Sequence, residues 1–390
     1  MTYDFDTVYD RKGTNSLKHD GHRRCGKPEG LIPLWVADMD FKAPPEVEEA
    51  LVKASRHGIF GYSEPMGDGY WEAVSGWFAE GFGYHPKAEW LVKAPGIVFA
   101  TALAVRAYTE AGDGVMIQKP VYHPFGQVIL DNNRKLVNNP LVYKDGRYLI
   151  DFDDFEEKIR QNGVKLFILC SPHNPAGRVW TREELEKMGD ICLKYNCLVF
   201  SDEIHCDFVY KPHKHHVFTM VRDEFEKISI VATAPSKTFN LPGLQASNIF
   251  ISDRELRQKF VKEYNRSGYS QLNTMGLIAC ESAYRCGREW LNQLLAYLSE
   301  NMGLVYDFCG KAGIRAVPLE GTYLAWLDFS SMGLPHRELD KLIVEKAGLW
   351  LSTGTTFGAE EGIGFQRINI GCPRSVLKQA LEHLEQAVKR

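Results

Sequence analysis

The chain has 390 residues, of which 44% are hydrophobic and 25% charged, and its formal net charge is −4. That is ordinary globular composition with ample length for a large core, and the length allows two or three domains. A weakly acidic chain offers no basic face, so neither nucleic acid nor an anionic membrane is expected as a partner.

The stretch from Met1 to Ser16 lacks the apolar core of a secretion signal. No apolar run approaches the roughly 20 residues that span a bilayer. Together these predict a cytoplasmic protein. Nine cysteines lie thinly spread without a C-x-x-C pair. They read as free thiols in a reducing compartment. The run Lys211-Pro212-His213-Lys214-His215-His216 reads as a solvated loop, because no acidic or cysteine ligand pattern accompanies it.

Ala43-Pro44-Pro45 marks a joint after an N-terminal arm, residues 1–45. From 46 to 285, short apolar runs alternate with amphipathic stretches. The runs are Val115–Ile117, Leu166–Cys170, Leu198–Phe200, Ile228–Ala232 and Asn248–Ile251. They predict strands buried on both faces of a mostly parallel sheet flanked by helices. Thr181 to Lys194 predicts a connecting helix, with Thr181 as N-cap and Glu184 as its capping-box partner. A long helical stretch is expected from near Leu272 through Tyr306. Strand-like segments follow at Thr322–Phe329 and Phe365–Ile370, then a helix from Ser375. The fold class is therefore α/β: a three-layer α-β-α large domain (46–285), plus a smaller α+β domain from the arm and residues 286–390.

Parallel sheets bind ligands beyond the carboxyl ends of their strands. Tyr122 follows Val115–Ile117, Asn174 follows Leu166–Cys170, Asp202 follows Leu198–Phe200, and Lys237 follows Ile228–Ala232. An aromatic, an amide, a carboxylate and a lysine thus converge on one edge. That is the set a pyridinium aldehyde needs: an amine for the aldehyde, an acid for the ring nitrogen, an amide for the phenolic oxygen, and a face to stack on. Gly96 precedes a helical stretch, Ile97 to Ala111, whose first N–H groups suit a phosphate. Each feature alone is an ordinary surface, cap or turn residue. Their order and their strand-end placement carry the reading.

At these residues the sequence resembles fold-type I pyridoxal-5′-phosphate (PLP) enzymes of the aminotransferase class I/II superfamily. Ser171-Pro172-His173-Asn174-Pro175-x-Gly177, Ser201-Asp202-Glu203 and Ser236-Lys237 stand in that family's order, with 28 residues from Asn174 to Asp202 and 35 from Asp202 to Lys237. Within the superfamily it is similar to the cystathionine β-lyase and cystalysin branch of carbon–sulfur lyases. The branch motifs are Pro33-Leu34-Trp35-Val36-Ala37-Asp38-Met39-Asp40-Phe41, Ser201-Asp202-Glu203-Ile204-His205, Ala234-Pro235-Ser236-Lys237-Thr238-Phe239-Asn240 and Glu320-Gly321-Thr322-Tyr323-Leu324.

The resemblance implies a PLP-transferase fold and implies roles. Lys237 would hold PLP and shuttle the α-proton. Asp202 would pair with the ring nitrogen, Asn174 would contact the ring oxygen, and Tyr122 would stack on the ring and share in catalysis. Gly96, Ile97 and Ser236 would bind phosphate. Arg367, in an alternating segment where a strand arginine wants an anion, would clamp the substrate carboxylate. Tyr62 would reach the cofactor phosphate of a neighbouring subunit, which implies a homodimer. Three positions depart from the wider superfamily: Gln245 replaces a phosphate-gripping arginine, His205 a tyrosine, and Ala234 a serine. His205 either contacts the cofactor or packs against it. Tyr122, His123 and Trp35 would shape the substrate pocket, His123 standing where some relatives carry a second tyrosine.

The expected reaction is α,β-elimination from cystathionine, cysteine or another S-substituted cysteine, giving pyruvate, ammonia and a thiol. Two alternatives stay open. Transamination shares every residue up to the loss of the α-proton. Some relatives of this branch also act as partners of transcriptional regulators, although no DNA-binding motif is present.

Overall fold

A computed structural model describes residues 2–63 and 67–389. Its centre is a seven-stranded sheet in the order Leu91–Ala94, Ser247–Phe250, Ser229–Thr233, Leu198–Asp202, Val164–Cys170, Gly114–Ile117, Lys135–Asn138. The last five of these run parallel. Their apolar residues are buried on both faces under flanking helices, which is what continuous apolar runs predict.

Within this mostly parallel sheet, the strand at 247–250 runs antiparallel to both its neighbours. The connection from Thr233 to Ser247 holds only the short turns Pro235–Thr238 and Pro242–Leu244. A parallel return needs a crossover, usually a helix, and none is available there. The sheet is therefore mixed at this edge, and the turn that carries Lys237 lies at the reversal.

A second sheet of four strands has the order Arg315–Ala316, Leu324–Asp328, Phe365–Asn369, Ser352–Thr353. The N-terminal segment joins this part of the molecule: Ile32–Pro33 pairs in parallel with Leu349–Trp350. Arg374–Val388 forms the last described helix.

The stretch expected as one helix from 272 to 306 is two, Thr274–Cys286 and Arg288–Ala312. Gly287 stands between them. A Cβ there would lie 2.2 Å from the Phe239 ring and 2.5 Å from the Ala283 carbonyl, so the close approach of Phe239 requires a glycine. The helix expected from Ile97 to Ala111 stops at Tyr108, where Thr109 turns extended and its hydroxyl donates to the Val105 carbonyl.

The Lys211–His216 run is not uniformly a solvated loop. His215 is buried, with Nε2 2.8 Å from Glu203 Oε2. Glu203 is itself buried and also accepts from Ser201 Oγ at 2.8 Å and Phe218 N–H at 2.9 Å. A buried carboxylate must be supplied with donors, and the histidine is one of them. Among the described residues, no helix is long and apolar enough to cross a membrane.

The Arg182–Lys194 helix begins with the expected capping box: Thr181 accepts from Glu184 N–H, and the Glu184 side chain accepts from Thr181 N–H. Thr181→Ala removes one of these bonds at an exposed position and should cost about 1 kcal/mol. Urea unfolding followed by circular dichroism should show a lower midpoint with an unchanged slope.

Candidate active site

The carboxyl ends of the parallel strands open onto a cavity of about 830 Å³. Tyr122 and His123 arrive on the loop after Gly114–Ile117, and Asn174 on the loop after Val164–Cys170. Asp202 is the last residue of its strand, and Lys237 sits in the short helix that follows Ser229–Thr233. Arg367 reaches in from the middle of the Phe365–Asn369 strand of the other sheet. The cavity lining holds Trp35, Gly96, Ile97, Tyr122, His123, Asn174, Asp202, His205, Ser236, Lys237 and Arg367, so eleven of the predicted site residues meet in one place. Tyr62 does not join them. It is 97% exposed.

Gly96 caps the Ile97–Tyr108 helix, and the first intrahelical bond runs from Ala100 N–H to Gly96 C=O. The N–H groups of Ile97, Val98 and Phe99 therefore have no acceptor inside the helix, and all three residues line the cavity. Free N–H groups at a helix start are what an anion needs. Ser236 and Gln245 line the same cavity.

Arg367 is held on three sides. Nη1 donates to Asn174 Oδ1 at 2.9 Å, and Nη2 donates to the Trp35 carbonyl at 2.7 Å and to Ser352 Oγ at 3.1 Å. The guanidinium lies 4.7 Å from the centre of the Phe357 ring. Its Nε is buried with no partner among the described residues. Trp35 stacks on Trp350 at 4.3 Å, and the pair makes an apolar wall.

The electrostatics follow from burial. The Asp202 carboxylate accepts only one hydrogen bond among the described residues, from Ile204 N–H at 3.1 Å. Burial pushes its carboxyl up to about 7, against the opposing pull of that N–H and of the Lys237 charge. Burial likewise pulls the Lys237 ammonium down to about 8, with Asp38 and Asp202 opposing and Arg367 reinforcing. Lys237 Nζ donates to the Ala37 carbonyl at 2.6 Å, and that carbonyl also accepts from Tyr323 O–H at 2.8 Å. His205 is held well below the usual imidazole range by burial and by the charges of Lys237 and Arg367, so it is neutral. Its ring packs edge-on to Tyr323, and its Nδ1 has no partner among the described residues.

Sequence reasoning gave no role to the Ala37 carbonyl, Tyr323, Ser352 or Phe357. Two signals were present, since Trp35-Val36-Ala37-Asp38 and Thr322-Tyr323-Leu324 stand in the branch motifs. A backbone acceptor leaves no trace in residue type, and Ser352 and Phe357 carried no motif at all.

The raised Asp202 carboxyl has a consequence for stability in the cofactor-free protein. Its folded value, about 7, exceeds the unfolded value, so the native state binds this proton more tightly. The resulting stability is full below the unfolded value and is lost as pH rises through the folded one. Asp202→Asn removes the dependence. The variant should match the parent near pH 4 and exceed it at pH 8 by on the order of 3 kcal/mol. Chemical denaturation at the two pH values checks it.

The comparisons with known proteins agree with this geometry. Cystathionine beta-lyase PatB of Bacillus subtilis is 42% identical over 386 residues, covering 98% of this chain and 99% of that protein. The crystal structure of cystalysin from Treponema denticola, which contains pyridoxal 5′-phosphate, superposes with a TM-score of 0.96 at 38% identity, covering 100% of this chain and 99% of that one. A PLP-bound C-S lyase from Staphylococcus hominis gives a TM-score of 0.91 at 34% identity, covering 99% of both chains. The family model for aminotransferase class I and II matches residues 29–384. A match of that extent, over a chain whose strand ends gather a lysine, an acid, an amide and an arginine in one cavity, means that the protein belongs to the aminotransferase class I and II family.

Proposed function

We propose that this protein is a PLP-dependent carbon–sulfur β-lyase acting on cystathionine, cysteine or a related S-substituted cysteine. The observation that carries the reading is a lysine amine bonded to a backbone carbonyl and a buried, under-bonded acid in one cavity, with no ion pair between them. A group bearing an aldehyde and a cationic N–H would satisfy both at once. The rest of the lining fits it: free helix N–H groups at Ile97–Phe99 for a phosphate, and Tyr122, largely buried, for the ring face. The orphaned Arg367 Nε fits a substrate carboxylate.

When bound, PLP supplies an electron-withdrawing ring conjugated to the substrate nitrogen, which stabilises negative charge left at Cα. Asp202 would hold the ring nitrogen in its protonated form. Arg367 binds the substrate carboxylate, and Asn174 keeps the guanidinium in place through Nη1. Lys237 would serve as the general base for the α-proton, and burial, which lowers its ammonium to about 8 in the cofactor-free chain, favours the neutral amine that task needs. The Cβ–S bond then breaks, and sulfur leaves as thiolate with the bonding pair. The remaining three-carbon fragment hydrolyses to pyruvate and ammonia. The stacked Trp35–Trp350 pair gives the cavity an apolar face.

Transamination would use the same residues to the point of proton removal. The names borne by PatB, cystalysin and the Staphylococcus enzyme favour elimination. Residues 46–285 form the large cofactor-binding domain, and 1–45 with 286–390 contribute the smaller one. Nine unpaired cysteines support a cytoplasmic setting. The working unit is a homodimer, in which exposed Tyr62 crosses to the partner's cofactor phosphate and offsets the absence of an arginine at Gln245.

Incubation with PLP and cystathionine should yield pyruvate and free thiol without any added ketoacid. Ketoacid-dependent turnover without thiol release would favour transamination. Lys237→Ala should lose both the visible absorbance of bound cofactor and the lyase activity, and borohydride reduction of the parent should leave the pyridoxyl group on the Lys237 peptide. The dimer claim has its own check. Lys237→Ala and Tyr62→Ala chains, each weak or inactive alone, should regain activity when mixed, because the hybrid holds one complete site.

A further inference from the structure

The backbone from Trp35 to Met39 is gripped by side chains at every carbonyl. Arg367 Nη2 donates to Trp35 at 2.7 Å and Asn369 Nδ2 to Val36 at 2.6 Å. Lys237 Nζ donates to Ala37 at 2.6 Å, Asn369 Nδ2 to Asp38 at 2.7 Å, and Asn240 Nδ2 to Met39 at 2.9 Å. Asn240 Oδ1 in turn accepts from Met39 N–H at 2.9 Å. The grips come from just after Lys237 and from Arg367 and its strand, so this ribbon ties the two halves of the site to one register.

The side chains of the ribbon form a partly buried ion cluster. Arg11 Nη2 is 2.6 Å from Asp38 Oδ2, and Arg11 Nη1 is 2.6 Å from Asp40 Oδ1. Lys18, its side chain fully buried, reaches Asp40 Oδ2 at 2.6 Å, and His19 Nε2 lies 3.1 Å from Asp40 Oδ1. Asp40 is thus served by three cationic or imidazole groups. Asp38 has Arg11 alone as its ion-pair partner among the described residues, and its Oδ1 is buried without a hydrogen bond.

We propose that Arg11 is a positioning residue for Lys237: by bridging Asp38 and Asp40 it fixes the 35–40 ribbon, holds the Ala37 carbonyl against the Lys237 amine, and neutralises the carboxylate one residue further along. The inference rests on Lys237 being the reacting lysine. The charged groups acting on that amine are Asp38 and Asp202, which favour its protonation, and Arg367, which opposes it. Tyr323 shares its carbonyl acceptor, and neutral His205 lies alongside. Arg11 acts through Asp38, so removing either member of the pair should move the amine in opposite senses. A merely structural cluster would move both the same way or not at all.

The test is competitive acetylation of the full-length, cofactor-free chain with acetic anhydride as a function of pH, reading Lys237 by peptide mass spectrometry. The parent should titrate near about 8. Asp38→Asn should lower the midpoint by about one pH unit, and Arg11→Gln should raise it by about half that. Arg11→Lys, which keeps the charge, should recover most of the parent value. Shifts of one sign in both neutralising variants, or thermal destabilisation without any shift, overturn the proposal. Should Asp38→Asn fail to fold, the Arg11 pair decides alone, because that side chain is 26% exposed and its loss is tolerable; no rise in Arg11→Gln is then a refutation. Failure of the lyase reading would look different. It would appear as an absence of pyruvate from the parent, with the labelling shifts intact.

Discussion

Two opposite charges buried near each other without touching set the character of this molecule. Isolated burial of a carboxylate or an ammonium is costly, and proteins usually relieve it by pairing or by changing protonation. Here Asp202 and Lys237 are each shifted toward neutrality by burial, yet Lys237 donates to a backbone carbonyl rather than to Asp202. A direct ion pair would relieve the cost and remove both groups from chemistry. Keeping them apart takes rigid supports, and the rest of the architecture supplies them: adjacent parallel strands for Asp202 and the Lys237 turn, the 35–40 ribbon for the amine, and a second sheet for Arg367.

Much of this was legible in the sequence because parallel strands announce themselves twice. Their apolar runs are continuous, and their carboxyl ends carry the polar residues that a ligand needs. Val164–Cys170 and Leu198–Asp202 stand within a few residues of where their composition places them, and Asn174, Asp202 and Lys237 fall at the cavity as their spacing implies. The features that were misplaced or left unread share a different cause. The reversal at 247–250 depends on the shape of a connection, and the break at Gly287 on a ring from Phe239. Neither is encoded in local periodicity. His215 read as part of a solvated loop because no acidic ligand pattern accompanies the run, and the buried Glu203, twelve residues earlier in the loop after the Leu198–Asp202 strand, is its partner.

The site itself was legible as a list and illegible as a geometry. Arg367 could be read as an anion clamp, but its Asn174, Trp35 and Ser352 contacts cross 193, 332 and 15 residues of chain. The Ala37 carbonyl, which holds the lysine, has no side-chain signature. Tyr62 shows the opposite limit: the sequence resemblance gives it a role that a single chain, where it stands in solvent, has no means to express.

The division of labour in the cavity bears on what can vary in such an enzyme. The groups assigned to ring and proton chemistry, Asn174, Asp202 and Lys237, stand at or just beyond the carboxyl ends of strands of the seven-stranded sheet, whose core is packed on both faces. The apolar wall facing the substrate is built from other segments: Leu17, Trp35 and Val36 from the N-terminal region, and Ile343, Trp350 and Phe357 from the C-terminal region. These segments join through the short parallel pair at Ile32–Pro33 and Leu349–Trp350, through the Arg367–Trp35 and Ser352–Trp35 bonds, and through Asn369, which donates to Val36 and Asp38. Ile343, Trp350 and Phe357 lie on segments other than the strand ends that carry Asp202 and the Lys237 turn, whereas Trp35 and Val36 belong to the ribbon that holds the amine. The apolar wall and the acid and amine therefore stand on different segments, linked where Arg367 donates to both Asn174 and the Trp35 carbonyl and where Lys237 donates to the Ala37 carbonyl.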